Sequence, residues 1–155
     1  MKKTWLITGI VFLLAFVAIQ FYRPEMTNPA IDPAVGSPEQ LHADPEVEKI
    51  LRAACFDCHS HETVWPWYGS VAPSSWLIAR DVSRGRKHLN FSIWGKYSRD
   101  RKLVALNDIV EQVTSGEMPL GSYKLLHAGA RLDSSTMNAV VEWALRERAR
   151  HSSEP

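Results

Sequence analysis

Residues 55–59 run Cys55-Phe56-Asp57-Cys58-His59, two thiols three positions apart with an imidazole directly behind the second. On a helix that spacing is close to one turn, so both thiols project from the same side. A pair so placed can reach two vinyl groups on neighbouring edges of a porphyrin and form thioethers. The histidine is then held beneath the iron as proximal ligand. C-x-x-C-H is accordingly the attachment signature of c-type haem, and the pentad implies one covalent haem c through Cys55 and Cys58. Both cysteines of the chain are consumed by it. A thioredoxin-like redox pair would want a βαβ context, and none is legible here. A zinc site is disfavoured because Cys55, Cys58, His59 and His61 crowd about one turn and a half. A disulfide between Cys55 and Cys58 would close a very small loop and add little.

Upstream of the pentad, Asp44-Pro45 reads as a helix start, with an N-cap followed by proline at the first helical position. Val47, Ile50, Leu51 and Ala54 follow at helical spacing and carry the helix into Cys55. Downstream, a second helix is expected from Ser74 or Ser75, presenting Trp76, Ala79 and Val82 until Gly85 stops it. A third is expected over about 100–115, with Leu103, Leu106, Ile109, Val110 and Val113 on one face and Gly116 as its cap. The last starts at Asp133 or Ser134, buries Met137, Val140, Val141 and Ala144, and ends among Arg146, Arg148 and Arg150. No segment alternates with period two, so the class is all-α.

Further out, Lys2 and Lys3 precede Trp5 to Tyr22, a run with no charged residue. Eighteen residues of helix span about 27 Å, enough for a bilayer's hydrocarbon core. Residues 1–22 therefore read as an uncleaved signal anchor, with a cleaved signal peptide as the rival. The lysines favour an inside N-terminus, and bacterial c-type haem is attached on the opposite side. The expected location is the bacterial inner membrane, single-pass, with the haem domain in the periplasm. Residues 23–43, with Pro24, Pro29, Pro33 and Pro38 among polar residues, read as an extended tether. Residues 44–150 are the expected domain, and 151–155 a tail.

The 155 residues are 45% hydrophobic and 23% charged, which allows a packed core. A net charge of +1 argues against a dedicated nucleic-acid binder. Charge is unevenly placed: 25–62 holds eight acids against two bases, and 80–102 eight bases against two acids. That polarity suits either a charged partner or two solvated faces.

For the other face of the iron Met118 leads. It sits in the loop Gly116-Glu117-Met118-Pro119, and Pro119 restricts its backbone to an extended conformation. His127 is the rival ligand, and an open sixth position is the remaining alternative. Trp65, Trp67, Tyr68, Trp76, Phe91 and Trp94 are expected to wall the haem. Arg86 is the candidate partner for a propionate.

The chain resembles the small bacterial membrane-anchored haem-binding domain family, monohaem proteins related to cytochrome c. The resemblance covers about residues 45–148. It rests on the pentad with Ser60, on Trp65-Pro66-Trp67-Tyr68, Ala72-Pro73 with Trp76-Leu77, and Gly85-Arg86. It continues through Leu89-Asn90-Phe91-Ser92 with Trp94, then Glu117-Met118-Pro119-Leu120, Tyr123 and Leu126-His127. The chain departs from the family at Asp81, where a histidine is common. The resemblance implies a cytochrome c-like bundle of about four short helices around the haem, thioethers at Cys55 and Cys58, and His59 and Met118 as metal ligands. Electron transfer between a membrane dehydrogenase and an acceptor is the expected function, not enzymatic turnover. A gas or redox sensor, or a peroxidase-like protein with an open sixth position, is the alternative.

Overall fold

The computed structural model describes residues 2–36 and 38–153, and every regular element among them is helical. The described residues form α1 (Lys2–Ile19), α2 (Pro33–Gly36), α3 (Pro45–Ala54), α4 (Phe56–His59), α5 (Ser74–His88), α6 (Arg99–Thr114), α7 (Gly121–Leu126) and α8 (Ser134–Ser153). Short 3-10 segments occur at Pro38–Leu41, Trp67–Ser70, Phe91–Lys96 (kinked at Ile93) and Ala128–Ala130. The four helices expected from periodicity are α3, α5, α6 and α8. The shorter ones lie where the apolar pattern is too brief to show a period.

Helix starts are set by local chemistry. The Asp44 carboxylate accepts the Val47 amide at 3.0 Å with Pro45 behind it, and α3 then buries Val47, Leu51 and Ala54. Ser98 accepts the Arg101 amide to open α6, and Asp133 accepts the Thr136 amide at 2.8 Å to open α8. Past α6 the chain reverses at Gly116, whose φ of +76° is the left-handed conformation that glycine adopts freely. The buried faces of α3, α6 and α8 meet in one core of Val47, Leu51, Leu106, Ile109, Val140 and Trp143 with their neighbours. At the far end of α8, Arg99 donates to the His151 and Ser152 carbonyls and satisfies its last turn from outside.

Three expectations are overturned. Gly85 does not stop α5, which continues to His88, because the glycine serves a close approach between α5 and the pentad. The last helix runs past residue 150 to Ser153, with His151 buried, so the stretch after 150 is not a loose tail; residues 154–155 lie outside the described residues. The stretch 23–43, in which Ser37 is likewise not described, is not an extended spacer: it packs onto the domain as a strap. Leu41 is 2% exposed and its carbonyl accepts the Trp143 indole N–H at 2.9 Å. A side chain at Gly36 would run into the backbone of Ser92. Proline-rich sequence removes regular structure but does not prevent packing, and here the burial of Leu41 supplies a reason to fold back.

α1 is apolar, has no buried residue, and is long enough to cross a membrane. It ends at Ile19, three residues before the apolar run itself ends.

Candidate functional site

The pentad occupies a break between two helices. Cys55 terminates α3 with φ −125° and ψ −39°, and its carbonyl accepts the amides of Cys58 at 3.1 Å and His59 at 2.9 Å. The two thiols therefore sit on one short turn, and they are not disulfide-bonded. Desolvation pushes the Cys55 thiol up to about 12 and the Cys58 thiol to about 11, so both stay protonated near neutral pH.

α4 lies against the C-terminal half of α5 at Gly85. A Cβ there would come 3.0 Å from the Cys58 carbonyl carbon and closer still to its oxygen. Only glycine allows this approach. It brings the end of α5 within reach of His59, whose Nδ1 lies 3.1 Å from the Leu89 carbonyl oxygen. A carbonyl can only accept, so Nδ1 carries the proton and Nε2 is left with a lone pair. Burial lowers the His59 pKa, which favours that neutral ring.

Asp57, inside the pentad, fixes two later segments of the chain. One carboxylate oxygen accepts the Val64 amide at 2.8 Å, and the other accepts the Tyr123 hydroxyl at 2.6 Å. The second bond ties α7, which begins two residues after Pro119, to the thiol-bearing turn. Burial, with Asp57 next, pushes the Tyr123 phenol far up, so it remains a donor. The Met118 amide donates to the Gln112 carbonyl at 3.0 Å, Met118 is half-buried, and its bond to the buried Pro119 is cis. His127 stacks on Tyr123 at 4.0 Å, with Nδ1 3.1 Å from the Tyr123 carbonyl and Nε2 3.5 Å from the Tyr68 hydroxyl. Met118 and His127 thus flank one helix, and that helix is bonded to the pentad.

The aromatic residues expected around a porphyrin divide among four places. Trp67 and Tyr68 pack edge to face at 5.8 Å beside His127. Trp67 is 82% exposed, as are Leu125 at 73% and Val64, whose amide bonds Asp57, at 75%, so these apolar side chains are left uncovered. Phe91 and Trp94 are instead buried in the core, Phe91 stacked on Phe56 at 5.0 Å. Trp65 lines a cavity of about 310 Å³ with Thr27, Val82 and Arg86, and Trp76 turns to the end of α1.

Arg86 is a clamp. Its guanidinium donates to the Ser60 carbonyl at 2.7 Å, the Thr27 carbonyl at 2.9 Å, the Asn28 side chain at 2.8 Å and the Thr63 hydroxyl at 2.9 Å. Four of its five N–H groups are spent joining α5, the pentad's exit and the strap. These partners lie 23–59 residues away along the chain, out of reach of spacing arguments. Sequence reasoning also missed Asp57, whose only signal was its place inside the pentad.

The donor set fits a covalently attached haem: two reduced thiols on one turn and an imidazole oriented through Nδ1 by a backbone carbonyl. A family model described as a haem-binding domain matches residues 14–146. No curated protein matches the chain, and no solved structure matches it.

Proposed function

The chain belongs to the haem-binding domain family, and on that premise we propose that it is a membrane-tethered, extracytoplasmic c-type cytochrome that carries single electrons. Cys55 and Cys58 would hold one haem through thioethers, and His59 and Met118 would supply its iron ligands, inside a cytochrome c-like helical bundle. The observation that carries this reading is the His59 Nδ1 contact to the Leu89 carbonyl at 3.1 Å, because it orients the imidazole and leaves Nε2 for a metal. The bound haem supplies a one-electron couple whose potential methionine ligation raises. The chain's residues hold the ligand-bearing segments in place: Tyr123 ties the methionine-bearing segment to Asp57, and Gly85 lets α5 close on the pentad. Lys2 and Lys3 at the start of α1 favour an inside N-terminus, which supports a domain outside the cytoplasm.

One observation favours a second reading. His127 is held by the Tyr123 carbonyl with Nε2 turned to Tyr68, a placement suited to an acid–base pair over an open iron position. The deciding experiment is the absorption spectrum of the ferric protein, scanned into the far red where methionine-to-iron charge transfer absorbs. A low-spin spectrum whose far-red band disappears in Met118→Ala and survives in His127→Ala supports electron transfer. A high-spin spectrum, with carbon monoxide binding readily to the ferrous form, favours sensing or catalysis.

A further inference from the structure

The side of α5 that carries Trp76 also carries Arg80, Arg84 and Lys87, spaced four, four and three residues apart and so aligned along one face. Arg80, Arg84 and Lys87 are exposed, as is Leu77 beside Trp76. Gly85 and Val82, which face inward, lie on the opposite side of the same helix at about 100° per residue. One end of the outer face is tied to the point where the chain leaves α1. The Trp76 indole N–H donates to the Tyr22 carbonyl at 2.9 Å, and the two rings meet edge to face at 5.8 Å. Gln20 bonds both backbone groups of Ala72, accepting its N–H at 2.8 Å and donating to its carbonyl at 3.3 Å. Two separate attachments therefore hold the start of α5 at the level of Gln20–Tyr22.

We propose that this face of α5 is seated on the lipid bilayer, with Trp76 and Leu77 at interfacial depth and Arg80, Arg84 and Lys87 against anionic lipid phosphates. The inference rests on the reading of α1 as a membrane-spanning helix. An indole with its N–H bonded and its ring beside an exposed leucine suits the interface, where one end is apolar and the other wet. The bases next along the face match anionic headgroups, each worth about fivefold in surface affinity. Arg80 also has Asp81 at 3.0 Å, an exposed pair that leaves the guanidinium accessible. The consequence is a haem domain held at one height and orientation, because α5 presents its outer face to lipid and its inner face to the pentad. An acidic redox protein would match the same charges but gives no role to the Gln20 and Tyr22 attachments, which point to lipid.

The test places photoreactive benzoylphenylalanine at Leu77 in the full-length holoprotein, reconstituted in vesicles of phosphatidylethanolamine with phosphatidylglycerol. The same probe at Glu142, exposed on α8, is the comparison. After irradiation an intact mass spectrum reads the lipid adduct. The expected yield at position 77 is at least about fivefold that at 142, and it falls severalfold with Arg80→Ser/Arg84→Ser or in phosphatidylcholine vesicles. Equal yields at the two positions, in protein that still floats with the vesicles after an alkaline wash, overturn the proposal alone and leave the basic face to an acidic partner. Protein that does not float overturns it together with the membrane reading beneath it.

Discussion

Gly85→Ala adds one methyl group where α5 crosses the thiol-bearing turn, and two opposing effects set the outcome. In an ordinary helix interior the change gains about 0.5–1 kcal/mol, because alanine loses less backbone freedom on folding. Here the new Cβ would lie 3.0 Å from the Cys58 carbonyl carbon and 3.2 Å from its Cβ, closer still to the carbonyl oxygen. All three neighbours are backbone or the first side-chain atom, so no rotamer change relieves the clash and the helices must separate. Overpacking of this kind costs about 1–3 kcal/mol, and the upper end applies where backbone meets backbone. The net expectation is a loss of about 2 kcal/mol, roughly 10 °C in Tm for a domain of this size. Separation also pulls Leu89 from His59, so the ferric spectrum should change as well. Thermal unfolding of the holoprotein followed by helical circular dichroism is the assay. Gly121→Ala is the comparison: no atom lies within 4 Å of its added Cβ, and its Tm should hold or rise slightly. If Gly85→Ala matches or exceeds the parent in stability, the close approach does not constrain the helices, and α5 does not position His59 in the way its geometry implies.

Three further outcomes are expected. Tyr123→Phe removes the donor to Asp57 while keeping the ring on His127; it should cost about 1–2 kcal/mol and weaken the far-red methionine band, and an unchanged band would separate that bond from ligand placement. Arg86→Lys cannot serve four acceptors arranged around a planar fork, so about 1–3 kcal/mol should be lost and the strap should become open to proteolysis within residues 23–32, read by timed digestion. Asp133 has its pKa lowered by the Thr136 amide and hydroxyl, so its contribution is present above the unfolded carboxylate value and is lost as pH falls through the lowered one. Asp133→Ala should therefore be less stable than the parent near pH 7 and converge with it in acid, and parallel stability curves down to that range would contradict the capping role.

Features written into a few consecutive residues were legible in the sequence. Asp44-Pro45 opens a helix where it should, since an N-cap and a first-turn proline act over three or four positions. Gly116 adopts the left-handed turn expected after α6. The pentad had to form one turn, and it does. Gly85 shows where such reasoning fails. By propensity it is a helix stop, yet its real constraint is a neighbour 27 residues earlier, whose backbone leaves no room for a side chain. The six aromatic residues were indistinguishable as large apolar groups, but packing sent Phe91 and Trp94 into the core, Trp76 to Tyr22, and left Trp67 uncovered.

By itself the sequence determined the Cys55, Cys58 and His59 spacing, the helical class and an apolar first segment long enough to span a bilayer. Each depends on spacing or composition that survives in the unfolded chain. Only the tertiary structure decided that Arg86 clamps the strap, that Asp57 and Tyr123 join α7 to the pentad, and that the Leu89 carbonyl orients His59. Those facts are hydrogen bonds between groups 23–66 residues apart, and a directional bond over that distance exists only once packing has brought donor and acceptor within about 3 Å.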